Sequence, residues 1–272
     1  MTGSGFLPAA RDPADRADMD KTAVKLLRAF EYMCREGGPL GVSALADKFK
    51  LTKSNAHRIL RTLVSMDYAY QIENGEYLPT LKAWELGTLV LNRLDFLQTA
   101  RPHLRKLNVE TGESVYLATL KSREVVYLDV LESRYPIRIN AAIGGSGPPH
   151  CSASGKLLLA YNPAVAAEYL ASPLRKYTGK TLVKPADVQR MLDGIRRAGY
   201  SINDGEWMEG VCGVAAPVHN SHRLGIAAIG ITALKERTNR QVLKHFTGLV
   251  REVALRVSRE LGYRESAEHA LQ

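Results

Sequence analysis

The chain reads as an α/β protein of two modules: a small helical one closed by a β-hairpin, then, past a connecting helix, a larger strand-rich one. Three observations predict this. Apolar residues recur at helical spacing in three successive segments between residues 21 and 66. The dipeptide Asn74-Gly75, flanked by short aromatic-rich runs, is a hairpin signal. After Thr111-Gly112 the texture changes to VYLATL, VVYLDVL and IRINAAI, runs rich in β-branched and aromatic residues.

The elements follow in order. Residues 1–20, with the stretch ARDPADRADMD, offer nothing to bury and read as a flexible tail. Val24, Leu27 and Phe30 define a first helix from about Lys21, stopped by Gly37-Gly38-Pro39. Ser43 is the expected N-cap of a short helix, SALADKFK, with Leu45, Ala46 and Phe49 inward. After a tight Leu51-Thr52-Lys53 connection, Ala56, Ile59, Leu60 and Leu63 share one face of a third helix. Tyr68–Ile72 and Tyr77-Leu78 are the two strands of the hairpin. Residues 81–98 form a linker helix with Leu86, Val90, Leu94 and Leu97 on one stripe; Pro102 interrupts it and opens a further helix over 101–111. Beyond the three strands, HCSASGKLLLAY is a small-residue turn entering a helix, 185–198 are helical, and VCGVAAPV and LGIAAIGIT flank the turn NSHR as a hairpin. Residues 239–261 form a last amphipathic helix, and 265–272 a second tail. The expected domains are 21–80, the 81–98 linker and 99–264.

With 272 residues, 45% of them hydrophobic, the chain can bury a real core in one large or two modest domains. A net charge of +9 favours a polyanionic partner without proving one. Three cysteines (Cys34, Cys151, Cys212), none in a CxxC pair, argue against a disulfide framework or structural zinc site and for reduced thiols in a cytoplasm. The first twenty residues lack the apolar core of a signal peptide, and no apolar run is long enough to span a membrane. A cytoplasmic location, no membrane partner and no cofactor are expected.

Two short helices joined by a tight turn, followed by a hairpin, match the winged helix-turn-helix plan, whose second helix enters the DNA major groove with its first residues at base edges. The residues at that point are Thr52, Lys53, Ser54, Asn55, His57, Arg58 and Arg61, with Ser43 on the preceding helix. Arg and Lys suit guanine edges or phosphates, Asn suits adenine, and Ser and Thr suit phosphate. Lys48 through Met66 holds five Lys or Arg and no acidic residue. A charged stripe is usually a solvated face; here it coincides with the exposed face of the predicted recognition helix. The wing carries Glu73 and Glu76, which repel phosphate, so deep insertion of its turn is not expected.

In the second module, Ser152-Ala153-Ser154-Gly155 opens a helix, and free N–H groups at a helix start attract anions. Read alone, the segment is an N-cap by Ser152 with nothing bound. A second candidate wall is Asn203-Asp204-Gly205-Glu206 with Cys212 and Gly213; Gly230 and Thr232, two apart on the final strand, share a sheet face, and Trp207 and Met208 can supply an apolar wall or plain core.

An enzyme using His150, Cys151, Asp204 and Cys212 is the rival reading. Adjacent strand residues face opposite ways, so His150 is not expected to activate Cys151, and GxSxG, GxGxxG after a strand and P-loop motifs are all missing. A metal sensor using His150, Cys151 or Cys212 is another rival, although the histidines at 57, 103, 150, 219, 222, 245 and 269 are scattered and His219 and His222 read as solvated turn residues. A third is a module whose basic helix binds protein.

The segment LADKFKLTKSNAHRILRTLVSMDYAYQIENGEYLPTLKAWELG, followed by TGESVYLA, PPHCSASGKLLLA, GYSINDGEWMEGVCGVAAPV and LGIAAIGIT, resembles the IclR-type transcription regulators from about Lys21 to Leu261. The resemblance implies a GAF-like effector-binding domain, a sequence-specific DNA-binding function, and homodimers or dimers of dimers that regulate catabolic operons. It implies that a ligand carboxylate sits on the backbone of Ala153 and Ser154, with contacts at Asn203, Gly213, Gly230 and Thr232. Departures from the family pattern are Lys50, where a turn glycine is common, Pro79 after the wing, and Asn55 in place of threonine. Glycines where relatives carry polar side chains leave room for a monocarboxylate larger than a two- or three-carbon acid, an aromatic acid included. Two-fold pairing of protomers through the leucine stripe of the linker predicts a palindromic operator, and effector binding is expected to re-space the recognition helices.

Overall fold

The computed structural model describes residues 19–264 except 122, 140 and 141; the two predicted tails therefore lie outside the described residues, apart from Met19 and Asp20. The chain divides into two compact units between Arg93 and Leu94.

The first unit begins with α1 (Lys21–Glu36), where the Asp20 carboxylate accepts from the N–H groups of Thr22 and Ala23 and left-handed Gly37 closes the helix. Helices α2 (Val42–Phe49) and α3 (Lys53–Ser65) follow, then strands β1 (Ala69–Gln71) and β2 (Tyr77–Pro79) and helix α4 (Lys82–Leu91). The core joins Ala29 and Met33 of α1 to Leu45, Ala56, Leu60 and Leu63, with Tyr77 of the hairpin buried among them. Ser43 does not cap α2. The cap position is Gly41, and Ser43 lies exposed inside the first turn. The reason is non-local: Leu40 exchanges two backbone hydrogen bonds with Tyr77, pinning the chain to the hairpin and letting the helix start at Val42.

The predicted linker helix over 81–98 is two helices. α4 ends at Leu91, Leu94 leaves helical geometry (φ −91°, ψ 86°), and α5 runs from Asp95 to Thr111. Pro102 does not interrupt a helix or open one; it sits inside α5. The break divides the expected stripe. Leu94 and Leu97 are buried, whereas Leu86 and Val90, with Trp84 and Leu89, stay exposed on α4.

The second unit is a six-stranded antiparallel sheet, order β5-β4-β3-β8-β7-β6, of the GAF-like α/β kind. Its strands are β3 (Ser114–Lys121), β4 (Glu124–Leu131), β5 (Ser146–Gly147), β6 (Ser201–Asp204), β7 (Val211–His219) and β8 (Gly225–Leu234). Helix α6 (Ala153–Tyr161) packs on β3, β7 and β8, and α7 (Pro163–Leu170) and α8 (Pro185–Ala198) pack against α6. The strand positions that meet this layer alternate, Tyr116, Ala118 and Leu120 on β3 among them, as a period of two requires. α5 packs on β3 and β4, α9 (Arg240–Glu260) on β7 and β8, and the two helices on each other.

IRINAAI is not a strand among its described residues: 137–139 and 142–143 lie in loop and turn, while 140 and 141 are outside the described residues. The edge position is taken instead by Ser146–Gly147, paired with Val125 and Val126. Strand β6 and helix α7 are further elements that the pattern reading does not contain.

Candidate functional site

Two surfaces carry chemistry, one in each unit. In the first, Lys50 ends α2 in the left-handed region (φ 51°, ψ 49°), and Thr52 starts α3 by accepting from Asn55 N–H at 3.3 Å. A side chain at the Lys50 position is strained where glycine would not be, which gives the departure at Lys50 a physical content. Ala56, Ile59, Leu60 and Leu63 of α3 are buried. That turns Thr52, Lys53, Ser54, Asn55, His57, Arg58 and Arg61 outward together, all exposed. Arg58 donates to the Asn55 side chain at 3.1 Å, so these two are pre-arranged on the surface, while Thr52 uses its hydroxyl as the cap. The free N–H groups and the dipole of α3 add positive potential at this end. The wing folds on itself: Asn74 donates to Glu76 at 2.7 Å and Gln71 to Gly75 O at 3.0 Å.

In the second unit a cavity of about 270 Å³ opens at the start of α6. Prolines 148 and 149 turn the chain into the helix. Ser152 Oγ donates to Pro148 O at 2.8 Å and accepts from Gly155 N–H at 3.2 Å, so Ser152 is the N-cap. A Cβ on Gly155 would lie 2.5 Å from Pro149 Cα and O, so only glycine lets the prolines press against this turn. The N–H groups of Ala153 and Ser154 have no intrahelical acceptor, by helix geometry. Ser154 Oγ is buried and makes no hydrogen bond among the described residues.

Of the residues expected here, Ala153, Asn203, Gly213 and Thr232 line the cavity; Ser154 follows Ala153 in the chain but is buried and is not among the lining residues. Asn203 Oδ1 accepts from Glu206 N–H at 3.0 Å, which shapes the turn carrying Trp207 and Met208, both cavity wall. Asp204 and Cys212 do not line it. Asp204 pairs with Lys180 at 2.9 Å and Lys235 at 2.7 Å on the surface, and those two ammoniums hold its carboxyl below the usual carboxylate range. Cys212 faces the opposite side of β7 from Val211 and Gly213, its Sγ 3.6 Å from Ala233 O. Gly230 leaves no room for a ligand either, since the Tyr116 phenol from β3 occupies the space its side chain would take. Tyr116, Tyr127, Ser114, Ser146 and Val130 line the cavity and are missing from the sequence reading. A glycine inside a strand marks close approach, and that signal at Gly230 points to Tyr116 once the β3–β8 register is known.

Among the described residues, no Lys, Arg, His, Asp or Glu lines the cavity. Lys156 of α6 is buried, but its Nζ donates to Glu206 at 2.5 Å and to Ile202 O at 2.6 Å. Burial lowers its pKa, and Glu206 opposes that shift. The pair fastens the 203–208 turn to α6.

His150 and Cys151 lie in the turn before α6, so the strand-alternation argument about them does not apply. What separates them is bonding. His150 Nε2 reaches Arg175 O at 2.9 Å and Nδ1 reaches Tyr169 Oη at 2.7 Å. The carbonyl requires Nε2 to carry the proton, leaving Nδ1 to accept from Tyr169. Burial lowers the His150 pKa and pushes the Cys151 thiol up to about 12, so this is no activated nucleophile. His219 is not solvated: its ring stacks on Tyr263 (4.8 Å) and meets Tyr161 edge-on (5.2 Å). Among the described residues no cluster of His, Cys, Asp or Glu could hold a metal, and no helix is long and apolar enough to cross a membrane.

A recognition-helix module ahead of a cavity-bearing α/β module defines a ligand-responsive class of DNA-binding regulator. Sequence comparison gives the family. The model described as "Bacterial transcriptional regulator IclR C-terminal" matches residues 88–259, and "IclR helix-turn-helix domain" matches 22–73. The glycerol operon regulatory protein of Streptomyces coelicolor is 33% identical over 226 residues, 82% of this chain and 89% of that protein. The Thermotoga maritima IclR crystal structure superposes with TM-score 0.73 at 27% identity, covering 89% of this chain and 99% of that one. An IclR homologue from Microbacterium hydrocarbonoxydans, solved with 4-hydroxybenzoate, gives TM-score 0.77 at 25% identity, with 89% and 99% covered. The chain belongs to the IclR family of DNA-binding transcription regulators.

Proposed function

We propose that this regulator is controlled by a small monocarboxylic acid with an apolar, ring-sized body, bound in the cavity at the start of α6. The observation that carries the reading is that the start of α6, at Ser152 and Ala153, with its free N–H groups, opens on a cavity whose apolar walls are Trp207, Met208, Ile139 and Val211. A cavity of about 150 Å³ already takes up benzene, so about 270 Å³ holds a ring with a carboxylate. The relative solved with 4-hydroxybenzoate supports the same ligand class. Ala153, Ser154, Asn203, Gly213 and Thr232 are the proposed contacts. Lys53, Ser54, Asn55, His57, Arg58 and Arg61 are the proposed DNA contacts, with Ser43 and Thr52 at the backbone.

The exposed apolar face of α4, with Leu86, Leu89 and Val90, supports pairing of protomers and hence a palindromic operator in double-stranded DNA. Effector control needs only a differential affinity between two arrangements, commonly about 1–3 kcal/mol. The test is fluorescence anisotropy with DNA from upstream of the protein's own gene, at two salt concentrations, with random duplex as competitor. Competitor-resistant binding that benzoate or 4-hydroxybenzoate shifts is expected. Operator affinity indifferent to every monocarboxylate tried refutes the effector class.

A further inference from the structure

Tyr116 of β3 stands opposite Gly230 of β8 in the sheet. A Cβ on Gly230 would fall within the phenol group, so the glycine exists for the tyrosine and not for a ligand. With that space open, the Tyr116 phenol shares the cavity wall with Thr232 and with Ala153 at the start of α6. Tyr127 of β4 meets Tyr116 edge-on, ring centroids 5.3 Å apart, and lines the same cavity. Two phenols from neighbouring strands therefore line the same cavity as Ala153, where α6 begins. Burial raises the pKa of both phenols, which keeps them protonated and able to donate. The other side of the cavity is apolar, and the Trp207 ring closes on the backbone of Gly147, whose Cβ position is 3.2 Å from it.

Charge selects among ligands here. The lining residues include no cation, and the buried ammonium of Lys156 is committed to Glu206. An anion at the start of α6 is held by neutral donors alone, and a second carboxylate would be buried with no opposite charge, a heavy desolvation cost.

We propose that Tyr116 and Tyr127 are the carboxylate-recognising side chains of this site, donating with the free N–H groups at the start of α6 to one carboxylate. The ligand is then a monoanionic acid with an apolar body, and dicarboxylates are refused. The assignment rests on the acid-effector reading above and deepens it.

Isothermal titration of the full chain with benzoate, hexanoate, pyruvate and terephthalate tests it, alongside Tyr116→Phe, Tyr127→Phe and Gly230→Ala. The phenylalanine variants keep the rings and so the packing; melting curves check that they fold. Wild type is expected to bind benzoate or hexanoate and not terephthalate. Each phenylalanine variant should weaken that acid roughly 10- to 100-fold, the usual worth of a hydrogen bond to a charged group. Gly230→Ala should do the same by displacing the Tyr116 ring. Folded phenylalanine variants that bind the acid as tightly as wild type overturn the tyrosine assignment alone. Terephthalate binding as tightly as benzoate overturns the monoanion selectivity. If wild type binds no acid at all, the acid-effector reading fails first and this proposal falls with it.

Discussion

Replacing Lys50 by glycine should stabilise the DNA-binding unit. Lys50 ends α2 at φ 51°, ψ 49°. A side chain in left-handed geometry costs roughly 1–2 kcal/mol, and glycine is free of that penalty but loses more chain entropy on folding, about 0.5–1 kcal/mol. The difference leaves a net gain of about 0.5–1 kcal/mol. Little packing is lost, because Lys50 is exposed. Lys50→Ala is the control: it removes the same ammonium but keeps a Cβ in the same strained geometry. Amide exchange along α2 and α3 reports the opening free energy of this unit in the intact chain. The glycine variant should exchange about two- to fivefold more slowly than wild type, and the alanine variant at about the wild-type rate. If Lys50 reaches a phosphate, both variants should reduce the salt slope of DNA binding by about one counterion. Equal exchange rates in the glycine and alanine variants would mean that strain at position 50 costs nothing, and would refute the reasoning.

Other perturbations probe other links. Gly155→Ala places a methyl 2.5 Å from the Pro149 backbone, so the α6 start must shift; a loss of about 1–3 kcal/mol is expected in denaturant melts, with effector binding impaired. His150 and His219 both have pKa values lowered by burial from the usual 6.5. The unfolded chain therefore binds more protons than the folded one as pH falls through about 6.5, and stability drops on acidification. His219→Phe, which keeps an aromatic ring against Tyr263, should flatten that loss between pH 7.5 and 5.5; an unchanged slope excludes His219 as a contributor. Arg58→Ala should weaken operator binding by about 1–3 kcal/mol and leave acid binding intact. Loss of both would signal misfolding instead.

What the sequence made legible is what neighbouring residues decide between themselves. Helices α1, α3, α8 and α9 follow from apolar spacing and local caps, and the β7–β8 hairpin from its turn. The expectations that failed depend on partners distant in the chain or on which face of an element its neighbours cover. Ser43 has the chemistry of a cap, yet the Leu40–Tyr77 bridge starts α2 two residues sooner, with Gly41 at the cap position. The stripe from Leu86 to Leu97 is periodic enough for one helix, yet Leu94 and Leu97 are buried while Leu86 and Val90 are exposed, and the helix breaks between them. Asp204 and Cys212 sit beside Asn203 and Gly213 in sequence, and strand alternation turns both away from the cavity. Gly230 is the sharpest case. A strand glycine says only that something comes close, and a ligand or the protein's own side chain satisfies it equally. The antiparallel register of β3 on β8 decides in favour of Tyr116. Gly230 offers no polar contact of its own but makes room for the phenol from position 116, which is why the polarity of this cavity cannot be judged from any one strand.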